Sequence, residues 1–314
     1  MNEIILSSPL PLDQNAAAVY VASLPAQTGK RTQAQALRVI ASILDTDPNS
    51  LNWGALRYQH TAAIRAKIAQ MYSPATANKI LSALRQTLKQ AWLLGQMTAE
   101  EYARAVELDP ITGETVPAGR ELSIGEIRAL IDVCRMDTNR PAGIRDAAII
   151  SMMYAAGLRR DEVVSLSLDS YDPETGKLTL TGKRNKQRTT YITNGAQSAL
   201  HDWLAIRGPL EGALFAAVSK SGTLDIDKRS SPMDNMTSQA IYNMLRKRAT
   251  KAGIKNFSPH DLRRTFISHL LDAGADIATV SKMAGHANIQ TTARYDRRPE
   301  EAKKKAAQLL SVPY

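Results

Sequence analysis

Along the first hundred residues apolar side chains recur every three or four positions, the spacing of one helix face. Ala36, Leu37, Ile40, Ala41 and Leu44 form such a stripe and predict a helix over about 32–44. Ser73-Pro74 gives a cap followed by proline at the first helical position, where its missing N–H is harmless. The helix it opens carries Ile80, Leu81, Leu84, Leu88, Ala91 and Trp92 and stops at Gly95. Thr98 with Glu101 three residues on has the form of a capping box for a further short helix. Strand signals are absent from this stretch. Its polar faces are basic, with Arg38, Arg65, Lys67, Lys79, Arg85 and Lys89.

Between Leu108 and Arg120 the periodicity lapses; two prolines and two glycines mark a linker. The expected organisation is a helical domain over 1–107, a linker over 108–120 and a second domain over 121–314. Ser123 with Glu126 starts a fresh helix over about 123–136, followed by 142–156 and by a third starting near Arg159. The runs 177–181 and 188–193 alternate apolar or β-branched residues with polar ones, which predicts a β-hairpin. Its tip holds Lys183, Arg184 and Lys186. Further helices are expected near 195–206, 236–252, 259–273, 276–284, 289–296 and 299–310, with a loop at 219–236. The fold class is mainly α with a small β-hairpin, a helical domain followed by an α+β domain.

Composition adds direction. The 314 residues fit two domains, and 40 Lys+Arg against 30 Asp+Glu leave a formal charge of +10. Such a charge attracts polyanions, DNA foremost. Cys134 is the only cysteine, so an internal disulfide and a cysteine-based zinc site are excluded and a reducing cytosol fits. The chain start lacks a secretory pattern, and the apolar run Ala147–Leu158 is far short of the ~18 residues of a membrane span. A cytoplasmic protein without membrane contact is expected.

Four segments could carry chemistry. In Ser258-Pro259-His260-Asp261-Leu262-Arg263-Arg264 a cap and proline open a helix whose first turn holds His260, with Arg263 on the same face. A helix start with an imidazole and a forked guanidinium suits a phosphate. Gly157-Leu158-Arg159-Arg160-Asp161-Glu162 places Arg159 at a helix start with Glu162 able to orient it. The hairpin makes four of the six residues 183–188 basic: Lys183, Arg184, Lys186 and Arg188. The segment from Gly285-His286 to Tyr295 sets a phenol nine residues after a turn histidine, within the next short helix. Taken singly, each competes with an ordinary reading: a solvated Arg-Arg pair, an exposed ion pair, a solubilising loop, a packing tyrosine.

In this order the segments resemble the tyrosine recombinase family of phage integrases and Xer recombinases. The strings Ser-Pro-His-Asp-Leu-Arg-Arg-Thr-Phe and Gly-His-x-x-x-x-Thr-Thr-x-x-Tyr carry the likeness, which spans about 121–297 closely. The resemblance implies that Arg159 and Arg263 grip the scissile phosphate and that Lys183 protonates the leaving 5′-oxygen. It makes His260 a base or phosphate ligand, His286 the second histidine, Glu162 the acidic support and Tyr295 the nucleophile of a 3′-phosphotyrosyl link. Arg184 stands where the family often has glycine, which leaves the choice between Lys183 and Lys186 open. DNA contacts are expected from Arg184, Lys186, Arg188, Arg264, Arg38, Lys79, Arg85 and Lys89.

Two arginines and two histidines can stabilise the attacked phosphate without a metal or another cofactor. The resemblance further implies a two-domain clamp on duplex DNA. It implies four protomers on two DNA segments, with accessory proteins possible. Too few residues are expected to precede the helical part for a separate arm-binding domain, which favours a simple recombinase acting on a short inverted-repeat site. The last helix could dock on a neighbour or on its own domain. Two other functions stay open: a type IB topoisomerase with the same chemistry, and a non-catalytic DNA-binding regulator.

Overall fold

The computed structural model describes residues 4–6, 8–113, 119–181, 187–224, 235–296, 304 and 307–309. The chain divides into two compact units, Met1–Pro117 and Ala118–Tyr314.

The first unit is helical: α1 (Ala16–Ser23), α2 (Gln27–Ile43), α3 (Tyr58–Met71), α4 (Pro74–Leu93) and α5 (Ala99–Val106), with a 3-10 turn at Trp53–Ala55. Helix α4 buries Ile80, Leu81, Leu84, Leu88 and Ala91, the stripe read from sequence, and packs against α1, α2, α3 and α5. Helix α2 starts earlier than its apolar stripe because its first turns are polar. The apolar pattern does not mark α1, which is almost uniformly small or apolar, or α3, which buries only Thr61, Ile64 and Ile68. The segment expected as a linker is tied down where described. Arg65 Nε donates to Asp109 O at 2.7 Å, and Asn78 exchanges bonds of 2.8 and 2.9 Å with the Ile111 backbone. On the other side Arg120 N donates to Asp261 at 2.9 Å. Side-chain bonds to backbone can fasten a segment that has no hydrophobic period.

The second unit comprises α6 (Ile124–Arg135), α7 (Arg140–Ala155), α8 (Arg160–Ser165), strands β1 (Lys177–Thr181) and β2 (Gln187–Tyr191), α9 (Asn194–Arg207), α10 (Ser238–Lys251), α11 (Pro259–Asp272), α12 (Ile277–Ala284) and α13 (Gln290–Ala293). Ser123 and Glu126 form the expected capping box at the start of α6. Helix α7 buries every residue from Ala147 to Met153 except the half-buried Ser151, as its apolar run implies, and packs against α6, α9 and α11. The strands pair antiparallel, with Leu180 opposite Arg188 and Thr181 opposite Gln187. Leu178 and Leu180 turn to the core. A buried ionic network crosses this core: Asp146 binds Arg145 at 2.7 Å and Arg248 at 2.6 Å, and Arg248 also meets Asp137. A small apolar cluster of Phe266, Ile267, Leu271, Val280 and Ala284 joins α11 to α12, with Tyr295 packed against it.

Two expectations change. The helix expected over 289–296 is the single turn α13, so Tyr295 lies just beyond it in a turn, its N–H still donating to Thr292 O at 2.9 Å. The hairpin tip 182–186 and most of the expected helix over 299–310 lie outside the described residues.

Candidate active site

The C-terminal end of α12 organises the site. A helix ends with carbonyls that lack intrahelical donors, and its dipole favours cations there. Gly285, at φ +65°, closes α12 as a left-handed cap whose N–H donates to Lys282 O, while His286 N–H donates to Ser281 O. The next three carbonyls each receive an arginine: Met283 O from Arg188, Ala284 O from Arg263 and Gly285 O from Arg159, the last at 3.2 Å.

Arg263 is 1% exposed although it stands next to Arg264 in a charged string. Its other terminal nitrogen donates to Gly157 O at 2.7 Å. Gly157 has φ +59°, and a Cβ there would stand 2.4 Å from the Phe266 ring, so only glycine brings this carbonyl to the arginine. Burial first, then the charges of Arg159 and Arg188, push the Arg263 guanidinium below its ordinary range. Such a cation gains from an incoming anion.

Arg159 caps α8 and is about half exposed, in reach of a ligand. The carboxylate of Glu162, one turn on and buried, accepts from Arg159 Nη1 at 2.7 Å, from Arg159 N at 2.8 Å and from Arg188 Nη2 at 2.7 Å. Burial alone would raise this carboxyl. The Arg159 N–H bond and the Arg188 charge outweigh that and hold it below the usual carboxylate range. Glu162 is therefore a fixed anion that orients two guanidiniums.

The imidazoles are kept neutral. Burial, then Arg263 and Arg159, lower the His286 pKa to about 4, and its Nδ1 pairs with Thr292 Oγ1 at 2.8 Å. His260, at the rim of α11, is lowered by partial burial and then by Arg263 and Arg264. Tyr295 is half-buried; the Arg264 guanidinium lies 5.5 Å from its ring centroid. Tyr295 also sits near enough to Arg263 for its charge to bear on that guanidinium. Arg159, His260, Arg263, His286 and Tyr295, spread over 137 positions of sequence, thus form one electrostatic cluster.

The remaining expected residues fall elsewhere. Lys183, Arg184 and Lys186 lie outside the described residues. Arg188, expected to face DNA from the hairpin, is turned inward with its side chain 14% exposed, because Glu162 and Met283 O hold it. In the first unit Arg38, Lys79 and Lys89 are exposed. Arg85 is half-buried, and its Nη2 donates to Leu108 O at 2.5 Å, a carbonyl just past α5. Sequence reasoning missed the roles of Thr292 and of the α12 carbonyls. The doublet Thr291-Thr292 was the one available signal. Among the described residues no three His, Cys, Asp or Glu are grouped to hold a metal ion, and no helix is long and apolar enough to cross a membrane. A concavity of about 800 Å³ in the first unit, lined by Arg57, Tyr58, Glu100, Glu101 and Arg104 among others, contains none of these site residues.

The chain is similar to several known proteins. The model of the phage integrase family matches residues 120–301. The tyrosine recombinase XerD of Corynebacterium glutamicum is 32% identical over 228 residues, 72% of this chain and 71% of that protein. Tyrosine recombinase XerC of Escherichia coli O157:H7 is 33% identical over 219 residues, 68% of this chain and 67% of its own. Among solved structures, the Tn1549 transposon integrase in complex with transposon right end DNA superposes with a TM-score of 0.71 at 14% identity, covering 96% of this chain and 100% of that one. With the matched segment spanning the whole arginine–histidine–tyrosine cluster, the chain belongs to the phage integrase family of tyrosine recombinases.

Proposed function

We propose that the protein is a site-specific DNA recombinase that cleaves and rejoins duplex DNA through a 3′-phosphotyrosyl intermediate. The observation that carries this reading is the convergence of Arg159 and Arg263, two neutral imidazoles and Tyr295 around the end of α12. In the attack, the Tyr295 phenolic oxygen bonds to phosphorus as its proton passes to a base, and a neutral His260 is suited to accept it. Charge growing on the non-bridging oxygens meets the two guanidiniums. The P–O5′ bond then breaks, and the leaving oxygen takes a proton, which we assign to Lys183. Rejoining reverses these steps: a 5′-hydroxyl attacks the phosphotyrosine, and the phenol regains its proton. The phosphoester bond is conserved throughout, so no nucleotide is consumed.

Exposed Arg38, Lys79 and Lys89 suit phosphate contacts that place the protein on the duplex. Exchange between two duplexes calls for four protomers, and accessory proteins could order them. A DNA substrate suits the expected cytoplasmic location. The test is incubation of purified protein with a supercoiled plasmid bearing two copies of a site footprinted on DNA flanking the gene, beside a plasmid without it. Recombinant circles from the first alone are expected. Relaxation of both would mark a topoisomerase, and binding without either product a regulator.

A further inference from the structure

Arg188 is the cation whose place departs most from its position in the sequence. It stands in β2 opposite Leu180, beside the hairpin tip, yet its guanidinium points at two other elements. Nη2 meets Glu162 Oε2 at 2.7 Å at the start of α8, and Nη1 donates to Met283 O at the end of α12. Glu162 shares the same carboxylate with Arg159 through Oε1 at 2.7 Å. Fixing one carboxylate oxygen fixes the direction of the other, so the Arg188 bond is transmitted to the Arg159 guanidinium. Next door, Arg263 takes Ala284 O, the carbonyl after the one that Arg188 takes. Gly285 makes room for this packing: a Cβ there would lie 2.7 Å from Arg188 Cδ.

We infer that Arg188 is a positioning residue for phosphodiester cleavage, holding Glu162 and the end of α12 in register so that Arg159 and Arg263 meet the scissile phosphate as a preformed pair. The inference rests on the phosphotyrosyl reading above. A guanidinium fork suits this task because it binds a carboxylate oxygen and a carbonyl at once in fixed geometry, which an ammonium does not. The partners its guanidinium meets are Glu162 and Met283 O rather than a DNA groove.

The test uses the full chain as Arg188→Lys and, separately, Arg188→Gln. Covalent adduct formation is timed on a nicked duplex of the footprinted site. A second duplex carries a methyl group in place of one non-bridging oxygen at the scissile phosphate. The methyl group removes the charge that the arginine pair neutralises, so a defect passed through that pair must shrink on this substrate. Both variants are expected to slow adduct formation on the ordinary phosphodiester by about 10–100-fold, the usual cost of losing an outer partner of a site. They should lose far less on the methylated duplex and keep the salt dependence of DNA binding. Equal losses on both duplexes, or none on either, overturn the inference. So does a salt slope of binding lowered by about one, the signature of a lost phosphate contact. Failure of both variants to unfold cooperatively also overturns it, since Arg188 would then be a structural anchor. If the unaltered chain forms no adduct on either duplex, the cleavage reading falls as well. An adduct from the unaltered chain with equal losses in the variants sinks only the role of Arg188.

Discussion

Arg263 donates to the carbonyl of Gly157 at 2.7 Å across 106 positions of sequence, and this bond sets the depth at which the guanidinium lies. It depends on a left-handed glycine with no space for a methyl group.

Gly157→Ala should therefore damage both fold and site. Backbone strain contributes about 1–3 kcal/mol and overpacking against Phe266 about 1–3 kcal/mol more. Gly195→Ala, where nothing lies within 4 Å of the added carbon, serves as the control. Chemical denaturation of both variants measures the difference; equal stabilities would contradict the packing described here.

The buried network around Asp146 predicts a large stability effect without a direct catalytic one. Arg248 is 2% exposed and serves both Asp146 and Asp137. Arg248→Met takes a buried partner from two carboxylates, leaving Asp146 with Arg145 and Asp137 with Lys251, and should cost about 3–5 kcal/mol. Below the lowered melting temperature, DNA cleavage should persist. An unchanged melting curve would show that the network contributes little.

His286 gives a pH prediction. Its pKa in the fold is about 4, below the ordinary 6.5, because burial and then Arg263 and Arg159 oppose its charge. Between those values the unfolded chain binds the extra proton and the folded one does not. Stability must then fall as pH drops from 6.5 toward 4, and above 6.5 this group exerts no pH dependence. Titration of the His286 ring by NMR should show the low midpoint, and bound DNA should raise it as phosphate offsets the guanidiniums. A midpoint near 6.5 in the free protein would contradict the site's electrostatics.

The first unit predicts a division among its basic residues. Lys79→Ala and Lys89→Ala should weaken DNA binding evenly across sequences and lower its salt slope by about one each. Arg85→Ala should instead lower the stability of this unit, because its guanidinium serves the Val106 and Leu108 carbonyls. Salt titrations of binding beside thermal melts separate the two behaviours.

Much of this arrangement was legible in the sequence because it is local. The stripe on α4, the capping boxes at Thr98 and Ser123, and the Ser258-Pro259 start of α11 each follow from neighbouring residues. Family motifs singled out Arg159, Glu162, His260, Arg263, His286 and Tyr295, which the fold brings together. Other features depend on tertiary partners. No local signal told that Arg188 would turn inward, since the reason is Glu162 on α8 and Met283 on α12. Helix α3 escaped notice because its buried face is too narrow to make a stripe. The single turn of α13 before Tyr295 lies against α12 and buries Thr292, a tertiary placement that its own residues do not announce.

The most direct measurement is trapping on a nicked duplex whose cleavage releases a short fragment, followed by peptide mass spectrometry of the covalent product. The account predicts a protein–DNA adduct carried by Tyr295 through a 3′-phosphate, and its disappearance in Tyr295→Phe while DNA binding persists. An adduct on another residue, or one that survives that substitution, would contradict it.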